Sequence, residues 1–147
     1  MLEPLSRKIN AGLKIVDCEF FDNISHLQEV ACKKHASLRL WQGVDPLLFE
    51  GRELLYNRCS GPHKDSQDPP LGYAVLFTAG TYTSGGSLVV KKLKLRIRLL
   101  PGDAIFLRGR VLEHEIEPWD GGQRISIPHF THTSLWRDLG LEYLVDL

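Results

Sequence analysis

From Gly51 to Phe130 the chain is cut into short apolar runs, each closed by glycine, proline or aspartate: "GRELLYNRC", "GYAVLFTAG", "GGSLVV", "LKLRIRLL", "AIFLRG", "VLEHEIEP" and "QRISIPHF". Short runs bounded by such breakers read as strands. "GYAVLFTAG" is apolar on both faces and so suits the centre of a sheet. Pro101-Gly102 fits a type II turn, and Asp120-Gly121-Gly122 marks a second reversal. One helical segment precedes these strands. "SHLQEVACKKHASL" opens at Ser25 with Gln28 as a capping box, sets Ile24, Leu27, Ala31 and Leu38 near one face, and ends in Lys33, Lys34 and His35 against the helix dipole. Many evenly spaced strands after one helix predict a mainly β fold, a sandwich or jelly roll, with the helix bracing one sheet from outside.

The chain has 147 residues, 43% of them hydrophobic, enough for one domain with a core that needs no disulfide or structural metal. The expected division is a bracing segment over 1–50, a β core over 51–136 and a tail over 137–147. Lys and Arg together equal Asp and Glu at 18 each, so global charge points to neither nucleic acid nor membrane. Cys18, Cys32 and Cys59 are odd in number and form no C-x-x-C pair, which argues against a disulfide framework and a zinc ribbon and for a reducing interior, nuclear or cytoplasmic. The first ten residues hold no signal-like apolar stretch, and no run reaches the roughly 18 apolar residues of a membrane span.

"GPHKDSQDPP" places His63 and Asp65 two apart, on one face of an extended segment and roughly 6.5 to 7 Å apart along it. Such a pair often decorates a solvated loop, so it needs partners. His114, 49 residues after Asp65, is the third candidate ligand, and ten residues beyond it Arg124 and Ser126 share a strand face. Two imidazoles and one carboxylate leaving open positions are the donor set of non-haem Fe(II) oxygenases. A 2-oxoglutarate chelating the iron leaves a distal carboxylate, for which the Arg124 fork and the Ser126 hydroxyl are suitable donors. Glu113, Glu115 and Glu117 around His114 also allow a mixed carboxylate site, although a solvated strand edge explains them, and no H-E-x-x-H is present.

The run from "PHKDSQDPP" through "GGSLVV", "LPGDAIFLRGRVLEHEIEPW" and "GGQRISIPHFTHTSLW" resembles the double-stranded β-helix core of Fe(II)/2-oxoglutarate dioxygenases, in particular the fungal, often transposon-associated branch of the Tet/JBP group. The resemblance covers roughly Leu54 to Trp136. It implies a cupin-like jelly roll in which His63, Asp65 and His114 hold Fe(II), Arg124 and Ser126 hold 2-oxoglutarate, and Asn57 is a further polar residue of the cosubstrate site. It also implies O2 as oxidant, succinate and CO2 as products, and a methylated nucleic-acid base as the substrate to try first. Hydroxylation of a protein side chain or small molecule is the alternative, and a non-catalytic cupin-like binding domain is the rival of another class.

Other residues have plainer readings. His26 and His35 are nine apart and read as exposed helix residues. His129 and His132 are three apart; His129 has the opposite parity to Arg124 and by simple expectation points away from the site, with contact of either one to substrate at the barrel mouth as the alternative. In "KKLKLRIRLL", Lys92, Lys94, Arg96 and Arg98 alternate with Leu93, Leu95, Ile97 and Leu99, which suits an edge-protecting face more than a phosphate track. Tyr82, Trp119 and Trp136 read as core or rim packing ahead of base stacking.

Overall fold

The computed structural model describes residues 2–146. Three helices come first: α1 (Glu3–Val16), α2 (Cys18–Lys34) and α3 (Ala36–Gln42). The strands follow as β1 (Gly51–Arg52), β2 (Leu55–Tyr56), β3 (Ala74–Gly80), β4 (Ser84–Gly85), β5 (Leu88–Val90), β6 (Leu95–Ile97), β7 (Ala104–Leu107), β8 (Glu115–Ile116), β9 (Trp119–Asp120) and β10 (Arg124–Phe130), and α4 (Thr133–Asp138) closes the fold. Among the described residues no helix is long and apolar enough to cross a membrane.

The main sheet is antiparallel, with β10 between β3 on one side and the short β1 and β2 on the other, and β7 on the far edge of β3. The register pairs Arg124 with Gly80, Ser126 with Thr78 and His129 with Val75. "GYAVLFTAG" is therefore an inner strand, as its two-sided apolarity requires. A three-stranded sheet (β6-β5-β8) and a two-stranded one (β4-β9) complete the β layer.

Side-chain alternation sorts the main sheet into two faces, each with its own core. One face packs on the helices, where Ile9 and Leu13 of α1 and Ile24 and Leu27 of α2 are buried with Val75, Phe49 and Trp136. The other face meets the second sheet, where Leu88 and Val90 pack with Leu107 and Ile116, joined by Leu76 and Ile105. Gly12 allows α1 to seat on β7, because a methyl group there would press on the Phe106 ring.

The N-terminal layer differs from the single helix expected from Ser25. Helix α2 starts seven residues earlier, capped by Asp17, whose Oδ1 accepts from the Phe20 amide at 2.9 Å. Ser25 lies inside the helix, its Oγ donating to the Phe21 carbonyl at 2.7 Å, and Gln28 Nε2 donates to the Leu48 carbonyl at 2.7 Å instead of forming a cap. Ahead of it stands α1, with Pro4 in its first turn and Leu5, Ile9 and Leu13 at four-residue spacing. Leu38 falls outside α2, in α3, while His26 and His35 are exposed.

The alternation of "KKLKLRIRLL" is also broken. Lys91–Leu93 forms a 3-10 turn and Lys94 takes φ +54°, so only Leu95–Ile97 is strand, and Leu93 and Leu95 remain exposed. The left-handed residue resets the period before the strand starts. β6 is an edge, with Arg96 on Glu117 and Lys91 on Glu115, each at 2.9 Å. Of the cationic face, Arg96 is charge-paired on this rim, while Lys92, Lys94 and Arg98 have no ion-pair partner among the described residues. Pro101-Gly102 makes the expected turn, with Gly102 at φ +101° and the Asp103 amide donating to the Leu100 carbonyl at 3.0 Å.

Candidate active site

His63 and His114 face each other across an isolated antiparallel bridge, each amide donating to the other's carbonyl at 3.0 and 2.9 Å. Opposite residues in such a bridge project to the same side, which brings the ring centroids to 4.3 Å. Each imidazole sets Nδ1 against the carbonyl two residues earlier, His63 on Gly61 at 2.8 Å and His114 on Leu112 at 2.9 Å. A proton held on Nδ1 leaves Nε2 as a bare lone pair. Both Nε2 atoms point at Asp65, at 3.7 Å from Oδ1 for His63 and 3.9 Å from Oδ2 for His114. These separations are too long for hydrogen bonds and open enough to admit an ion.

The three donor atoms lie within 4.8 Å of one another. Two imidazoles and one carboxylate match the facial triad of non-haem Fe(II), and the softness of the set suits that metal better than Mg or Ca. Asp65 is placed by its amide, which donates to the Gly109 carbonyl at 3.1 Å, and by the bareness of Gly109, where a methyl group would overlap Asp65 Oδ2. His114 is buried, while the His63 side chain is 41% exposed, so the trio sits at the mouth of a cleft.

That cleft, about 320 Å³, has apolar walls from Leu55, Leu76, Leu88, Leu107, Pro128 and Phe130. Polar groups reach into it from Asp68, Gln67, Ser60 and His132. Phe130 stacks on His132 with centroids 4.8 Å apart, over Gly51, where any side chain would collide with the Phe130 ring. Asp68 is 4% exposed, and its carboxyl is pushed up to about 7 by burial and then by the charges of Asp65 and Glu50, against the opposing pull of Arg110.

Arg124 and Ser126 share the β10 face that carries Pro128 and Phe130 into the cleft, two and four residues further along. The Arg124 guanidinium lies between Tyr82 and Trp119, with Cζ 5.7 and 5.6 Å from their ring centroids, and one of its nitrogens donates to Ser126 Oγ. Gly86, at φ +67°, keeps the space over Nε open. Arg124 is 1% exposed, yet its Nε and Nη2 have no partner among the described residues. A guanidinium cannot shed its charge, so two orphaned N–H nitrogens in a buried cage call for an anion.

The structure therefore gathers His63, Asp65 and His114 at one point of the cleft, and sets Arg124 with Ser126 on the β10 face that carries Pro128 and Phe130 into it. Asn57 lies apart from the cleft. Its backbone has φ +50°, its Oδ1 accepts from the Arg124 amide at 2.8 Å, and its Nδ2 donates to Gln123. Tyr82 and Trp136 are buried, and His129 is fully buried on the helix side. Asp68 and Phe130 were not singled out from sequence. Phe130 continues the period-two series from Arg124, so its signal was there to be read, whereas Asp68 depends on how the Pro69-Pro70 turn folds back.

No protein-family model matches the chain, and no curated protein matches it by sequence. Among solved structures, NgTET1 in complex with 5mC DNA superposes with a TM-score of 0.54 and 23% identity over 63% of this chain and 37% of that one. A viral collagen prolyl hydroxylase from Paramecium bursaria Chlorella virus-1, solved as its 2OG complex, gives 0.43 and 15% over 65% of this chain and 68% of that one. The protein thus has the jelly-roll architecture it shares with NgTET1, with helices flanking antiparallel sheets.

Proposed function

We propose that the protein is an Fe(II)/2-oxoglutarate-dependent dioxygenase that hydroxylates a C–H bond of its substrate, with a methylated nucleic-acid base as the first substrate to test. The observation that carries this reading is the Nε2/Nε2/carboxylate trio in the cleft, together with a buried guanidinium holding two unpartnered nitrogens on the β10 face whose Pro128 and Phe130 line that cleft. When bound, Fe(II) with 2-oxoglutarate and O2 supplies oxidative decarboxylation to succinate and CO2 coupled to hydroxylation of the substrate. His63, Asp65 and His114 would hold the metal. Arg124, with Ser126, would hold the distal carboxylate through a two-pronged contact strengthened by the dry cage of Tyr82 and Trp119. Asn57 acts through Arg124 as a positioning residue, by gripping its main chain.

The remaining lining residues shape the substrate end. Leu55, Leu76, Leu88 and Leu107 exclude water from the reacting group, and the Phe130–His132 stack offers a flat wall to a planar one. A base would have to leave its helical stack, or arrive single-stranded, to enter a cleft of this size. NgTET1 carries 5mC DNA in its own structure, which makes the same ligand the natural first probe.

Anaerobic addition of Fe(II) and 2-oxoglutarate should give a weak visible charge-transfer band that Arg124→Leu weakens and Asp65→Ala abolishes. A protein that binds both yet shows no band would end the reading. Succinate release stimulated by methylated oligonucleotides but not by peptides, with a product gaining one oxygen or losing a methyl group, would fix the substrate class. Stimulation by peptides alone would reassign it.

A further inference from the structure

A second hollow, about 270 Å³, opens beside the cleft and shares Ser66 and Gln67 with it. Its other walls are Arg110, Thr133, Ser134 and Arg137. Ser66 follows Asp65 directly, and Arg110 follows Gly109, whose carbonyl accepts from the Asp65 amide, so the hollow adjoins Asp65 through both segments. The far wall is tied to the near one where the Thr133 amide donates to the Gln67 carbonyl at 2.9 Å.

The chemistry lining it is one-sided. Arg110 and Arg137 have no ion-pair partner among the described residues, as is also true of Arg39, Arg58 and Arg98, but these two line one hollow together. Arg110 senses the charge of Asp68 from a distance only. Thr133 Oγ1 is buried without a hydrogen-bond partner. Two free guanidiniums, an orphaned hydroxyl and two serine hydroxyls around one hollow provide donors on several sides, which suits a tetrahedral oxyanion better than a planar carboxylate.

We propose that Arg110 and Arg137, with Thr133, form a phosphate subsite that anchors the substrate beside the metal trio, so that the substrate carries a phosphate on the same molecule as the group to be oxidised. This rests on the dioxygenase reading for what happens at the trio, but not for the binding itself. The proposal favours a nucleotide unit, in which a phosphate and a planar base lie on either side of one sugar. The charge separation supports it, because the acidic residues Asp65 and Asp68 line the cleft whereas the two guanidiniums line the adjoining hollow.

The test is titration calorimetry with inorganic phosphate, 5-methylcytidine, its 5′-monophosphate and a methylated oligonucleotide, on the wild type, Arg110→Gln and Arg137→Gln. The monophosphate or the oligonucleotide should bind the wild type about tenfold or more tighter than the nucleoside, an advantage both variants lose. Inorganic phosphate should compete for the same sites. A monophosphate equal to the oligonucleotide assigns a terminal phosphate, and an oligonucleotide that binds alone assigns an internal phosphodiester. Equal phosphate affinity in wild type and variants, or no phosphorylated ligand bound by the wild type, overturns the subsite. The Fe(II)/2-oxoglutarate band should be unchanged in both variants. Its absence from the wild type defeats the dioxygenase reading while the phosphate titration still decides the subsite.

Discussion

The two faces of β10 bury two basic side chains in opposite ways. On the helix side His129 is fully buried, with Nδ1 at 3.2 Å from the Val75 carbonyl and Nε2 without a partner. On the cleft side, five residues earlier, Arg124 is equally dry and lacks partners for two nitrogens. The imidazole escapes the cost of burial by giving up its proton, since desolvation holds its pKa down to about 4. The guanidinium has no neutral form within reach, so its cost persists until an anion arrives. The helix face thus settles its charge on folding, whereas the Arg124 face, under the proposed function, awaits an anion.

The sharpest way to break this contrast is to delete the ligand end. Asp65→Ala should lower metal affinity by at least about a hundredfold and remove all 2-oxoglutarate turnover, read by Co(II) or Fe(II) titration. Its melting temperature without metal should hold steady or rise, because a carboxylate facing two imidazoles makes no hydrogen bond to either. Arg124→Leu comes next. It should weaken 2-oxoglutarate about a hundredfold yet raise the stability of the ligand-free protein, since a buried charge without a counter-ion is replaced by an apolar group. Calorimetry for the first effect and thermal unfolding for the second check both signs. A loss of ligand-free stability would mean that the cage supports the charge by itself.

Gly109→Ala probes a smaller step. The methyl group must displace the Asp65 carboxylate, so metal affinity should fall about ten- to a hundredfold while the melting temperature changes little, a split that a metal titration and a thermal scan would resolve. The equivalent change on the helix side, Gly12→Ala under Phe106, should do the reverse, lowering stability and sparing metal affinity.

What was legible in the sequence follows the same division. Period-two alternation placed Arg124 and Ser126 on one face and His129 on the other, because β10 runs regularly for seven residues. The H-x-D pair and His114 were found by residue type, and the bridge that aligns them shows only in three dimensions. Alternation failed where a single backbone angle resets the phase, as at Lys94, and Asn57 at φ +50° likewise turns from the cleft to the Arg124 main chain. Helix α1 was missed because its apolar positions alternate with charged ones and its first turn carries a proline. The early start of α2 was missed because the cap signal at Asp17 competes with the more conspicuous one at Ser25. The Arg110 and Arg137 hollow joins residues from three segments and has no sequence period.

The gentlest test of the two faces uses protons. His129 has a native pKa near 4 against 6.5 for a free imidazole, so between those values the unfolded chain holds more protons and stability falls as pH drops. Arg52 adds to the depression and Asp45 opposes it, both more weakly than burial. Asp68 on the cleft side behaves in the opposite sense. Its native pKa near 7 against 3.8 means that the folded protein holds the extra proton, and stability falls as pH rises between those values. In the metal-free protein the two slopes, each at most about 1.4 kcal/mol per pH unit, largely cancel from pH 4 to 6.5. Urea midpoints should therefore be nearly flat for the wild type, climb toward acid in His129→Gln, and climb toward neutrality in Asp68→Asn. The same tilt in both variants would show that the faces do not titrate independently, and the contrast between a face finished by folding and one awaiting a ligand would lose its simplest support.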